Sequence, residues 1–196
     1  MPIPSPLHSR TKSLCDSYFW KDWAGYYAVK SYETSHEREY YAFRHGSGII
    51  DLSPLFKYKI EGPGAKDYLN QLLTRNMDKL KVGRIGYTCW CDDNGHMIDD
   101  GTVMNLGDDT YYLTAAIPSI GWFSRYTRGY DVKITDITED FAIIGIQGPT
   151  SRDLLKQVCD APLDDQRFFS FEHCTLDTNK VIVCLLYTSP SPRDRG

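Results

Sequence analysis

The sequence lacks the patterns that mark nucleic-acid-binding, membrane-spanning and secreted proteins. It has 22 Lys and Arg against 26 Asp and Glu, a formal net charge of -4, whereas a surface that binds a phosphate backbone needs an excess of positive charge. No apolar run is long enough to cross a bilayer, and residues 1–15 have no apolar core behind a basic start. We therefore predict a cytoplasmic protein whose partners include neither nucleic acid nor a membrane.

The sequence also lacks cysteines in a zinc-binding arrangement. Its six cysteines form no Cys-x-x-Cys pair and have no histidine at ligand spacing. We predict no metal site, and we expect reduced thiols that serve as small core residues. The cysteines are Cys15, Cys89, Cys91, Cys159, Cys174 and Cys184.

The composition of the chain is that of a folded protein, apart from its end. Hydrophobic residues make up 41% of 196 residues and charged residues 24%, which is enough for one sizeable core or two small ones. The run Cys184–Asp194 matches a reading-frame translation of a common sequencing adapter, although a natural Ser/Pro-rich flexible end has the same composition. We therefore expect residues 184–196 to be a non-native tail and residues 1–183 to be a truncated piece of a longer protein.

Hydropathy patterns predict helices and antiparallel strands along the chain. A helix is predicted at 34–45, and the alternation of apolar and polar residues predicts a strand at 56–61. Asp92-Asp93-Asn94-Gly95 is a hairpin signal, because Asn-Gly readily adopts positive φ. The other predicted elements are strands at 85–90, 97–106, 111–115, 131–136 and 141–146, helices at 65–73 and 150–158, and a helix or turn at 117–126.

One unit of sequence occurs twice. Ile60-Glu-Gly-Pro-Gly-Ala-Lys-Asp-Tyr-Leu69 aligns with Ile146-Gln-Gly-Pro-Thr-Ser-Arg-Asp-Leu-Leu155 at an offset of 86 positions. Each copy reads as a strand, a Gly-Pro corner and a helix. The predicted fold class is α+β, with two related strand–Gly-Pro–helix lobes and an antiparallel meander. The meander argues against the alternative, a doubly wound α/β fold.

Two adjacent carboxylates, Asp99 and Asp100, are the candidates for chemistry. They begin a predicted strand, so one of them must face inward and needs a partner, which can be a protein donor, a metal or a cationic ligand. A structural role, accepting backbone N–H groups in the hairpin, is an equally open reading. Asp92 and Asp93 read as turn residues and His96 as an exposed hairpin residue.

Several short motifs together resemble the glycine-cleavage T-protein (aminomethyltransferase) family, over almost all of residues 25–160 and in the same order. The resemblance implies the N-terminal part of a three-lobed fold that binds tetrahydrofolate, in a divergent member related to folate-dependent demethylases. The motifs are Gly48-Ile-Ile-Asp51-Leu-Ser53, Ile60-Glu-Gly62-Pro63, Leu69–Leu73 with Thr74-Arg-Asn76, Lys81-Val-Gly83-Arg-Ile-Gly-Tyr87, Asn94-Gly95 with Ile98-Asp99-Asp100, and Ile146-Gln-Gly148-Pro149.

The resemblance also implies the residues of the site. Asp100 corresponds to the family's catalytic aspartate beside the folate nitrogens, and Tyr87 to a tyrosine that contacts the ligand. Leu55, Asn76 and Val103 are expected to line the pocket. The implied function is tetrahydrofolate-dependent transfer of an aminomethyl or methyl group, with a small one-carbon donor and a lipoyl carrier protein as further partners.

Two departures from the family pattern bear on the donor. Pro54-Leu55 stands where T-proteins usually have His-Met, and Gly101-Thr102 replaces an aliphatic pair. The alternative function is a non-catalytic folate-binding scaffold of the same fold in iron–sulfur assembly or tRNA modification, against which the retained Ile-Asp-Asp motif argues. A folate lobe of a larger flavin-linked amine dehydrogenase is a third reading.

Overall fold

The computed structural model describes residues 1–186, which form two compact units. Unit 1 consists of Met1–Pro54, Phe141–Phe168 and the described residues from Glu172 onward, and unit 2 of Leu55–Asp140 with Phe169–Phe171. The elements in chain order are α1 His8–Ser13, β1 Phe19–Trp23, β2 Tyr26–Ser31, α2 Glu37–His45, β3 Gly48–Asp51, β4 Phe56–Glu61, α3 Ala65–Leu72, a 3-10 helix Met77–Lys79, β5 Ile85–Cys91, β6 Met97–Gly107, β7 Thr110–Ala115, α4 Ile120–Arg125, β8 Lys133–Asp136, β9 Ile144–Gln147, α5 Ser151–Lys156, β10 Ser170–Leu176 and β11 Asn179–Leu185.

Unit 2 is built on a five-stranded antiparallel sheet in the order β5-β6-β7-β4-β8. Alternation along β4 buries Tyr58 and Ile60 completely, and they face α3 and α4, whose Tyr68 and Phe123 are also fully buried. The Tyr68 hydroxyl donates to the backbone oxygen of Phe123 at 2.8 Å. One face of the sheet therefore carries this core. The opposite face carries the exposed Tyr87 and also the buried Ile85 and Met104.

Unit 1 contains three two-stranded sheets, β1-β2, β3-β9 and β10-β11. The aromatic opening segment packs together, because the ring of His8 lies 5.0 Å from Trp20 and 5.8 Å from Tyr27 between centroids. The Ser5 hydroxyl donates to Asp51 at 2.6 Å and so joins this segment to the end of β3.

The cysteines differ from the expectation of core thiols. All six are free, but only Cys15 is buried, Cys184 is exposed and the other four are half-buried. The prediction of core cysteines is therefore right for Cys15 alone. None of the described helices is both long and apolar enough to cross a membrane. Of the predicted tail at 184–196, residues 184–186 are described, and the residues from 187 onward lie outside the described part of the chain.

Candidate functional site

The candidate site lies on the hairpin of β5 and β6 in unit 2, where the strand register decides which residues share a face. Tyr87 pairs with Thr102, and Cys89 pairs with Asp100. Directly opposed residues of an antiparallel pair lie on the same face, and Tyr87 and Cys89 are two positions apart. All four side chains therefore belong to one face, while Trp90 is buried on the other.

The hairpin turn holds this register through Asp92. Its carboxylate accepts the backbone N–H of Asn94 at 2.9 Å and that of His96 at 2.8 Å, while Gly95 has a φ of +83°. These bonds, led by the one from His96, hold the pKa of Asp92 below its usual value of 3.8. The predictions of a turn role for Asp92 and an exposed position for His96 are both confirmed.

Asp99 is the inward carboxylate. It is 7% exposed, and one oxygen accepts the backbone N–H groups of Ala116 at 2.8 Å and Ile117 at 3.0 Å. Its partners are therefore protein donors, on the segment that follows β7. A charge buried in this way is stabilised by its hydrogen bonds, and its role is structural.

Asp100 faces the opposite way and is half-buried. The Tyr87 hydroxyl donates to its Oδ2. Tyr87 itself is 54% exposed. The structure thus brings together the two residues that the sequence pointed to first, and it places them on the open face of the sheet.

The segment after α3 supports the edge of this hairpin. The Thr74 hydroxyl lies 3.1 Å from the backbone oxygen of Cys89 and 3.3 Å from its sulfur. Arg75 donates to the backbone oxygen of Tyr87 at 3.2 Å. The sequence reasoning did not assign Thr74, Arg75 or Cys89 to the site, although strand alternation does place Cys89 on the face of Asp100.

Gly101, next to Asp100, is required by close packing. A Cβ at this position would lie 1.8 Å from the backbone oxygen of Thr114. The Thr114 hydroxyl in turn accepts the N–H of Thr102 and contacts its hydroxyl, both at 2.9 Å. The Gly-Thr pair after Asp100 therefore has a structural explanation on β6 and β7.

The three residues expected to line the pocket lie in different surroundings. Val103 is fully buried in the core, on the face opposite to Asp100. The side chain of Asn76 accepts the N–H of Asp78 at 2.9 Å and caps the 3-10 helix. Leu55 is half-buried directly before β4. Val103 therefore does not face Tyr87 and Asp100, while a pocket that Leu55 and Asn76 line beside that pair stays a prediction.

Comparisons with known proteins agree with this architecture. The family model described as GCVT N-terminal domain matches residues 12–188. The chain is 32% identical over 153 residues to an aminomethyltransferase of Halothermothrix orenii, which covers 76% of this chain and 43% of that protein.

Two solved structures are similar. One is the glycine cleavage system aminomethyltransferase T of Bartonella henselae, with a TM-score of 0.76 and 18% identity over 87% of this chain and 47% of that one. The other is a chain of heterotetrameric sarcosine oxidase from Corynebacterium sp. U-96, with a TM-score of 0.59 and 12% identity over 92% of this chain and 80% of that one. These likenesses show a shared fold and confirm the predicted α+β class. The chain spans about half the length of the two aminomethyltransferases.

Proposed function

Because the chain belongs to the GCVT N-terminal domain family, we propose that it forms the N-terminal part of a tetrahydrofolate-dependent one-carbon transferase. The observation that carries the proposal is the pair of Tyr87 and Asp100 on the open face of the β5–β6 hairpin. The similar protein of Halothermothrix orenii is named an aminomethyltransferase, which supports group transfer as the reaction class. Aminomethyl or methyl transfer and a cytoplasmic location belong to this proposal.

The chemistry of the pair fits tetrahydrofolate. More than half of Tyr87 is exposed, so its ring offers a flat apolar surface on which a heteroaromatic ring can stack. An ionised carboxylate has about four acceptor sites, and the Tyr87 hydroxyl occupies one of those on Asp100. The others remain for N–H groups of a ligand. When bound, the folate would supply the nitrogen atoms that carry the one-carbon unit.

Asp100 acts through its fixed charge. The Tyr87 hydroxyl holds one carboxylate oxygen, and pairing with Cys89 across the hairpin holds the backbone. A carboxylate that is already in place orients an incoming amine and stabilises positive charge that develops on nitrogen during the transfer. Asp100 is therefore proposed as the catalytic electrostatic group, with Tyr87 as a ligand contact that also positions it.

The donor and the further partners belong to the same proposal. The donor is a small molecule with a transferable one-carbon unit, and a lipoyl carrier protein would present an aminomethyl unit. Gly101 gives no information on the donor, because contact with Thr114 already requires it. Leu55 and Asn76 are proposed as ligand contacts, and the fully buried Val103 is proposed to support the site from the core.

Calorimetric titration with tetrahydrofolate tests the proposal. The titration uses this chain and a longer chain that carries the remainder of the family's length. Asp100→Asn should weaken binding about tenfold or more, because a hydrogen bond to a charged group contributes about 1.5–3 kcal/mol, and Tyr87→Phe should weaken it less. Asp108→Asn is the matched control, because it removes the same charge from the exposed turn at the other end of β6.

Two results would contradict the proposal. A folded longer chain that does not bind tetrahydrofolate would exclude the folate site. Equal weakening by Asp108→Asn and Asp100→Asn would show that binding follows net charge and not the carboxylate beside Tyr87.

A further inference from the structure

Two cysteines in unit 1 lie close together, and the proposed transfer reaction uses neither of them. The Sγ atoms of Cys159 and Cys174 are 2.9 Å apart. The local backbone holds them there, because Cys159 forms an antiparallel bridge with Leu176. The N–H of Asp160 donates to the oxygen of Thr175 at 3.4 Å, and the N–H of Thr175 donates to the Asp160 carboxylate at 2.6 Å.

Cys159 is half-buried, so small molecules can reach its thiol, whereas Cys174 is less accessible. The backbone N–H of Ala161 donates to the sulfur of Cys159 at 3.5 Å. Burial, followed by the contact with Cys159, raises the pKa of Cys174 to about 12. The Ala161 N–H stabilises negative charge on the sulfur of Cys159, which makes Cys159 the thiol that reacts first.

We propose that Cys159 and Cys174 are a redox-active dithiol that closes to an intramolecular disulfide by exchange with a low-molecular-weight disulfide. The carboxylate of Asp160 also lies within 4.8 Å of both sulfur atoms, which is a possible metal ligand set. Tetrahedral zinc with Zn–S bonds of about 2.3 Å keeps its sulfur ligands about 3.7 Å apart. The observed separation of 2.9 Å is shorter than that and favours bond formation between the sulfurs.

The exchange proceeds in two balanced steps. The Cys159 thiolate attacks one sulfur of the small disulfide and forms a mixed disulfide, while the other half leaves as a thiolate. Cys174 loses its proton to solvent, attacks the sulfur of Cys159 and expels the second small thiolate. The two protein thiols lose two electrons and two protons, and the small disulfide becomes two thiols. The new bond closes a loop of 15 positions between the segment after α5 and strand β10.

Peptide mapping of the whole chain tests this proposal. The protein is equilibrated with glutathione buffers of increasing oxidised fraction, free thiols are alkylated, and the digest is analysed by mass spectrometry. We expect a peptide that links Cys159 to Cys174, two hydrogen atoms lighter than the sum of its parts and released by dithiothreitol. Cys159→Ser and Cys174→Ser should each accumulate a glutathione adduct on the remaining thiol. Cys184→Ser, which changes an exposed cysteine, should leave the linked peptide unchanged.

The unsubstituted chain tests the proposed disulfide even if a serine variant does not fold. Alkylation of both thiols in the most oxidising buffer would overturn the proposal. Protection of both thiols by added zinc, without a linked peptide, would overturn it in favour of a metal site.

Discussion

At the scale of single residues, Asp99 and Asp100 have different roles although they are neighbours in the sequence. Strand alternation turns neighbouring side chains to opposite faces of the sheet. The buried Asp99 carboxylate consequently accepts two backbone N–H groups, whereas Asp100 accepts the Tyr87 hydroxyl on the open face. The first carboxylate stabilises the fold, and the second remains available to a ligand.

This division predicts different effects on stability. Asp99→Ala removes a buried carboxylate and leaves two part-buried N–H groups without their acceptor, so we expect it to lower the free energy of unfolding by on the order of 2 kcal/mol. Asp100→Ala should change it by less than about 1 kcal/mol, because the hydrogen bond from Tyr87 is partly solvated. Urea unfolding followed by circular dichroism measures both, and equal losses would show that the two carboxylates do not differ in this way.

The sequence could predict part of the site. Alternation indicates that one carboxylate faces inward, and the family resemblance selected Asp100 and Tyr87, which do contact each other. Alternation also implies that Val103, three positions after Asp100, lies on the other face, which the expected pocket lining did not take into account. Thr74 reaches Cys89 only because the segment after α3 follows the edge of β5, and no local pattern encodes that path.

At the scale of elements, the two Gly-Pro corners repeat in three dimensions. Gly62 and Gly148 have φ values of +125° and +119°. A Cβ on Gly62 would lie 2.5 Å from the backbone oxygen of Asp131, and one on Gly148 would lie 2.3 Å from that of Gly46. In each corner, the backbone oxygen that the added Cβ would meet accepts the N–H of the residue two positions after the glycine. The sequence repeat therefore reflects one corner geometry used twice.

Alanine substitutions test this requirement. Gly62→Ala adds both an unfavourable φ and a clash, so it should destabilise the fold by about 3 kcal/mol. Gly129→Ala is the control in the same unit, because Gly129 has a φ of +93° but nothing within 4 Å of the added Cβ, and it should cost about 1 kcal/mol. Gly148→Ala should act as Gly62→Ala does. Thermal unfolding measures all three, and a Gly62→Ala loss no larger than that of Gly129→Ala would contradict the clash.

The bounds of the elements were predictable where periodicity was clear. The strand predicted at 56–61 is observed as Phe56–Glu61. The strand predicted at 141–146 is observed only as Ile144–Gln147. Its first residues have an irregular environment, because the N–H of Ile143 donates to the Ser53 hydroxyl. Pro54, the residue after Ser53, has no backbone N–H and so cannot extend the pairing of β3 with β9.

At the scale of the whole molecule, the sequence could not predict which distant strands pair with each other. The meander β5-β6-β7 follows from hairpin signals, but β4 pairs with β7 and β8, which lie far along the chain. In the same way β3 pairs with β9 in unit 1. The family resemblance supplied the fold class but not these pairings, and the family match and the structural likenesses confirm that class. The two copies of the repeat lie in different compact units, as the predicted two lobes require.

The response of the whole chain to acid follows from two carboxyl groups of unit 2. A hydrogen bond from Lys59, with Lys133 nearby, holds the pKa of Glu61 below its usual 4.5, and backbone N–H groups hold that of Asp92 below 3.8. A carboxyl group with a lower pKa in the folded state binds protons less readily there than in the unfolded chain. It therefore stabilises the fold above its unfolded pKa, and this stabilisation disappears as the pH falls through the folded pKa.

We expect the Tm to fall between about pH 5 and about pH 3, and Glu61→Gln to reduce that fall. The difference in Tm between Glu61→Gln and the parent should be largest near neutral pH and should disappear in acid, where both side chains are uncharged. Salt at about 1 M should reduce this difference, because the ion pairs of Glu61 with Lys59 and Lys133 are partly exposed. The Asp92→Asn difference should persist only in part in salt, because two of the Asp92 hydrogen bonds come from backbone N–H groups whereas its contact with the His96 ring is exposed. Calorimetry over this pH range at low and high salt measures both variants, and a Glu61→Gln difference that is equal at acid and neutral pH would assign its effect to packing instead of charge.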